Sequence, residues 1–66
     1  MTIQLNGEKF EVGSAVTISA LLDLLEIDPR RVAVEHNMRI VKRDAYNRVT
    51  VTQGDQVEVV NFVGGG

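Results

Sequence analysis

The sequence predicts an α+β two-layer fold, a mixed β-sheet covered by a single helix. Three observations carry this reading: two alternating runs around Asn6-Gly7, one helical period between Ile18 and Leu25, and β-branched runs afterwards, the longest from Gln56 to Val63.

Ile3 and Leu5 alternate with Gln4 and Asn6, and Phe10 and Val12 alternate with Lys9 and Glu11. Asn-Gly between two such runs is a strong hairpin signal, because both residues tolerate the positive φ of a tight turn. Gly13-Ser14 breaks the second strand. Ile18, Leu21, Leu22 and Leu25 then fall at helical spacing, leaving Ser19, Asp23 and Glu26 outside, which predicts a helix of about three turns. Thr17 is placed to cap it, with Val16 before it positioned to pack on Leu21 as a hydrophobic staple. Asp28-Pro29 is its expected end, since the residue before proline avoids helical geometry. Residues 31–35 read as a short strand, Asn37-Met38 as a turn and Ile40-Val41 as another strand. Residues 43–48 are irregular or a brief helical turn anchored by Tyr46, and Gln53-Gly54-Asp55 turns the chain into the last strand. The order β-β-α-β-β-β, with a right-handed crossover placing the last strand parallel to the first, is the β-grasp or ubiquitin-like fold with four to five strands.

At 66 residues the chain is expected to form one domain, residues 1–63, followed by a flexible glycine tail, residues 64–66. A chain this short buries only about 60% of its unfolded surface. Its 44% apolar and 24% charged residues are those of a globular protein. Nine acids and seven bases are scattered to give a net charge of −2, which leaves no basic stripe and disfavours nucleic acid. Cysteine is absent, which excludes disulfides, a thiolate nucleophile and cysteine metal sites. The opening residues do not resemble a signal peptide, and no run approaches the roughly 18 apolar residues of a membrane span. A cytoplasmic protein without membrane contact is expected.

Few residues offer chemistry of their own. His36 is the only histidine and lacks a carboxylate cluster at ligand spacing, so it reads as a surface histidine and not as a metal ligand or general base. Ser14 and Ser19 carry no signature of an activated nucleophile, and Asp44 and Asp55 read as turn residues. Gly7, Gly13 and Gly54 are separated by whole elements, which excludes a phosphate loop. The chain is too small to enclose a typical small-molecule pocket without giving up its core. An autonomous enzyme, a bound cofactor and a bound metal are therefore not expected.

The end of the sequence remains. By the strand period of two, Val57, Val59, Asn61 and Val63 face one way and Glu58, Val60 and Phe62 the other. With Val57 and Val59 in the core, Val60 and Phe62 form an apolar spot on the outer face, and Glu58, Val60, Phe62 and Val63 become candidate docking residues. The alternative is a β-bulge, or a second small core under residues 43–52, that hides Phe62. Gly64, Gly65 and Gly66 either fray or enter a narrow cleft in a partner that excludes any Cβ. A carboxylate is a poor electrophile, so chemistry on Gly66 requires a partner to attach a leaving group, as adenylation by ATP does. Sulfur, absent as cysteine here, would come from elsewhere.

The ordered set "IQLNGE", "VTISALLDLL", "RVAVEHN", "IVKRDAY" and "GDQVEVVNFVGGG" resembles, over essentially the whole chain, the bacterial ThiS family of sulfur carriers in thiamine thiazole biosynthesis. The resemblance implies a carrier and not an enzyme. A ubiquitin-activating-type enzyme would use Mg-ATP to adenylate Gly66, a sulfur donor protein would convert it to a thiocarboxylate, and thiazole synthase would receive the sulfur. Gly64 and Gly65 would present Gly66. Asn37-Met38 stands where many relatives have Asn-Gly, and Lys42 where many have proline. The small subunit of molybdopterin synthase shares the expected fold and diglycine end. A carrier for another sulfur-containing product, or a ubiquitin-like interaction module that never reacts, are the other readings.

Overall fold

The computed structural model describes residues 1–62. Strands β1 (Thr2–Leu5) and β2 (Glu8–Glu11) form the expected hairpin, with Ile3 opposite Phe10. Asn6 and Gly7 take φ of 51° and 81°, the left-handed geometry that suits the twist of the flanking strands.

The helix α1 (Ile18–Leu24) begins where its capping residue predicts, with Thr17 Oγ1 accepting the Ala20 N–H at 3.0 Å. Two further N–H groups of its first turn are satisfied from outside, Ile18 by the Val49 carbonyl and Ser19 by the Tyr46 carbonyl. The helix is shorter than its apolar period suggests. It ends at Leu24 because Glu26 turns left-handed at φ 59°, letting Glu26 N–H bond the Asp23 carbonyl and Ile27 N–H the Leu22 carbonyl. This is a Schellman closure with glutamate in the position usually held by glycine, so the sequence carries no visible stop there. Asp28 caps a separate 3₁₀ turn, Pro29–Arg31.

Strands β4 (Val32–His36) and β5 (Arg39–Val41) form a second hairpin, and β7 (Gln56–Asn61) closes the sheet. The strand order is β2-β1-β7-β4-β5. β7 is central, parallel to β1 and antiparallel to β4, as the crossover rule requires. Two very short strands escaped the sequence reading. β3 (Val16–Thr17) pairs with β6 (Thr50–Val51), joining the helix start to the loop before β7. Two residues are too few to show a period.

The core lies between α1 and the sheet, where Ile3, Ile18, Leu21, Leu22, Val34 and Val57 are almost fully buried. Val16 is half-buried against the same core that holds Leu21, as a staple residue should be. Tyr46 is buried too, anchoring the segment after the 3₁₀ turn Arg43–Ala45, with its hydroxyl 3.4 Å from the Val32 carbonyl. Among the described residues no helix is long and apolar enough to cross a membrane.

Candidate functional site

The register of β4 on β7 builds the outer face of the sheet. Val32 lies opposite Asn61 and Val34 opposite Val59 on the helix side, whereas Ala33 lies opposite Val60 and Glu35 opposite Glu58 on the other. One step further, the Arg31 carbonyl accepts the Phe62 N–H at 2.8 Å. Alternation then exposes Glu58, Val60 and Phe62, with 61% of Val60 and 46% of Phe62 open to solvent. The register runs without a bulge from Val57 to Asn61, and the segment over residues 43–52 buries Tyr46, not Phe62. The hidden-Phe62 alternative is thereby overturned.

Ile40 adds to this face from the edge strand, opposite Glu35 and 79% exposed. Glu35, Ala33 and Ile40 were not singled out in the sequence. The alternation of Arg31, Ala33 and Glu35 with Val32 and Val34 marks their common face, but the pairing of Glu35 with Glu58 is a matter of register between strands far apart in the chain.

The base of β7 is held from both sides. Asn6 Oδ1 accepts the Val59 N–H at 2.7 Å and its Nδ2 donates to the Val59 carbonyl at 3.3 Å, continuing the ladder where β1 has ended. On the other side, Phe62 bonds Arg31 at the end of the 3₁₀ turn. That turn is fixed by Asp28, whose carboxylate accepts the Arg30 backbone N–H at 2.9 Å and two guanidinium N–H groups at 3.1 and 3.0 Å. The side-chain bond from Arg30, then its backbone N–H, hold the Asp28 carboxyl at about 2. Arg43 Nη2 donates to the Arg30 carbonyl at 3.3 Å, tying in the second 3₁₀ turn.

His36 corrects the sequence reading. Its side chain is 19% exposed, not a free surface group, and Nε2 lies 2.7 Å from Asp55 Oδ2. A carboxylate can only accept, so that ring nitrogen carries the proton. Asp55 is the turn residue expected, accepting the Thr52 N–H at 2.9 Å, and also the hub of this node, with Asn37 Nδ2 at 3.3 Å. Burial alone would raise its carboxyl, but the bonds from His36, Thr52 and Asn37 outweigh it and lower it. The described residues contain no group of three or more His, Cys, Asp or Glu able to hold a metal ion. A depression of about 360 Å³ between α1 and Pro29 contains one ionisable lining residue, Asp23. Ser14 and Ser19 are exposed.

Of the candidate residues, Glu58, Val60 and Phe62 come together on one open face. Val63, Gly64, Gly65 and Gly66 lie outside the described residues, as does the proposed division of domain from tail. A five-stranded mixed sheet with one covering helix, its central strand leading towards a glycine run, defines a β-grasp domain of the ubiquitin-like class. The model of the ThiS family matches residues 2–66, and the chain belongs to that family. The sulfur carrier protein ThiS of Bacillus subtilis is 37% identical over 68 residues, covering 97% of this chain and 98% of that protein. A thiazole synthase of Paramagnetospirillum magneticum is 44% identical over 66 residues, all of this chain but 20% of that protein. The chain thus spans about a fifth of the length of the thiazole synthases it matches. The crystal structure of a thiamine biosynthesis protein (ThiS) from Geobacter metallireducens superposes with a TM-score of 0.88 at 33% identity, covering both chains completely.

Proposed function

We propose that this protein is a sulfur carrier for thiazole formation in thiamine biosynthesis, and acts as a protein substrate for partner enzymes. The carboxyl group of Gly66 attacks the α-phosphate of ATP on a ubiquitin-activating-type enzyme with Mg, expelling pyrophosphate. Hydrosulfide released by a donor protein displaces AMP from the acyl carbon, leaving a thiocarboxylate that gives its sulfur to thiazole synthase. The chain binds no cofactor of its own in this scheme. Gly64 and Gly65 bring Gly66 into an active site too narrow for side chains, and Glu58, Val60, Phe62 and Val63 contribute to docking.

The observation that carries this reading is the central position of β7, clamped by Asn6 on one side and by Arg31 on the other up to Phe62. A strand bonded on both sides offers a fixed base for the residues that follow Phe62. Family membership supports the carrier role, and the match to thiazole synthases favours thiazole synthase as the acceptor. Intact-mass measurement after incubation with the adenylating enzyme, Mg-ATP and a sulfur donor should show one oxygen replaced by sulfur, and fragmentation should place it on Gly66. No exchange, with the donor system active on another carrier, refutes the proposal. Appending one large residue after Gly66 separates it from an interaction module, which would keep its binding while a carrier loses its reaction.

A further inference from the structure

We infer that Asp28 is a positioning residue for the reaction at Gly66: by shaping the 3₁₀ turn Pro29–Arg31 it holds the carbonyl on which β7 ends, and so fixes the point from which the glycine run sets out. This rests on the carrier reading. The helix α1 has already ended at Leu24 through the left-handed Glu26, so stopping the helix is not what Asp28 does.

The last ladder row of β7 on β4 is Asn61 with Val32. The next row, Phe62 with Arg31, lies beyond β4, and its acceptor belongs to the 3₁₀ turn. Facing residues at such an antiparallel row normally exchange two bonds. Here the Arg31 N–H goes to the Asp28 carbonyl at 3.0 Å, so Phe62 is held by the one bond that its own N–H makes. On the other side of the strand Asn6 reaches only as far as Val59. The end of β7 thus depends on where the turn puts one carbonyl.

Asp28 sets that place. Its Oδ1 accepts the Arg30 backbone N–H and Nε–H, and its Oδ2 accepts from Nη2, a two-pronged grip with charge on both partners. Pro29 fixes φ between them, and Arg43 Nη2 bonds the Arg30 carbonyl from the second 3₁₀ turn. The Arg30 side chain is 78% exposed and that of Asp28 32%, and ion pairs this open contribute little to global stability. What they restrict is local: without the grip the turn opens more often, and Phe62 frays with it. A frayed end has to be ordered again at each docking, and ordering the backbone of one residue costs roughly tenfold in affinity. In the docked carrier the strand is in place, so the step on the carboxyl group is untouched.

The test compares the full chain with Asp28→Ala, with Asp28→Asn, which keeps an acceptor for the Arg30 N–H but loses the ionic grip, and with Asp44→Asn. Asp44 is an exposed residue of the second 3₁₀ turn, and its substitution changes the charge by the same amount. Amide exchange, thermal unfolding, and the KM and kcat of thiocarboxylate formation with the adenylating enzyme, Mg-ATP and a sulfur donor are measured. In Asp28→Ala the Phe62 amide should exchange roughly tenfold faster, while amides in the middle of β4 and β7 keep the parent rate. KM should rise roughly tenfold at an unchanged kcat. Asp28→Asn should fall between the parent and Asp28→Ala, and carries the test if the alanine variant fails to fold, whereas Asp44→Asn should match the parent. Faster exchange at Phe62 with a parental KM makes the turn merely structural and overturns the inference, as does unchanged exchange at Phe62 or a control whose KM rises as far. Each of these leaves the carrier reading intact, whereas a parent chain that acquires no sulfur overturns both.

Discussion

Replacing Phe62 by alanine separates docking from folding, because the ring is only partly covered by the protein itself. Its 46% exposure leaves about half of the side chain in contact with the sheet. Full burial of a phenylalanine is worth about 1.5–3 kcal/mol, so the covered half corresponds to about 1 kcal/mol. No closed cavity is left at an open site, and the main-chain bond from Phe62 to Arg31 survives the substitution. Urea unfolding should therefore show a loss of about 1 kcal/mol, or about 4–8 °C in a domain of this size. Titration into the adenylating enzyme should show the larger effect, since an aromatic anchor at an interface centre loses about 2 kcal/mol or more on truncation, about thirtyfold in Kd. A stability loss of about 3–5 kcal/mol, the range for a core phenylalanine, with an unchanged Kd would refute the reasoning.

Three further substitutions or conditions probe the scaffold. Met38 is 84% exposed at φ 70°, a conformation that disfavours any side chain, so Met38→Gly should raise stability by about 0.5–1 kcal/mol in chemical denaturation. Asp55 has a lowered carboxyl in the folded chain. Its contribution is complete above the ordinary aspartate value, about 3.9, and is lost as pH falls through the lower folded value. Asp55→Asn should therefore flatten the acid limb of stability against pH below about 4. Asn6→Gly keeps the left-handed turn but removes both side-chain bonds to Val59. It should lower stability by about 1–2 kcal/mol and speed amide exchange at Val59, and unchanged exchange there would show that the ladder does not need Asn6.

Signals that are local in the chain were legible, and signals that depend on register were not. Asn6-Gly7, the Thr17 cap and the alternation of Gln56 to Phe62 each depend on a few consecutive residues, and each appears where expected. The outward placement of Val60 and Phe62 follows from the same alternation once Val57 is in the core. The early helix end was hidden because Glu26 adopts the conformation that glycine usually announces. His36 and Asp55 are nineteen positions apart in sequence, and only the meeting of the β4–β5 turn with the Thr52–Asp55 turn joins them. The Glu35–Glu58 pair was illegible for a similar reason, since a shift of one residue would have turned Glu58 into the core.

The same register accounts for why one strand can serve both the core and the partner. β7 gives Val57 and Val59 to the helix side and Glu58, Val60 and Phe62 to the open side, so substitutions on the two sides act on different properties. Its neighbours bond it along its length on the β4 side and, through Asn6, as far as Val59 on the β1 side. Stability is thus concentrated in the strand that precedes the glycine run. A recognition face on this strand stays rigid through an encounter because both of its neighbours hold it. An edge strand, bonded on one side only, would fray at its end and lose the direction that the central position supplies.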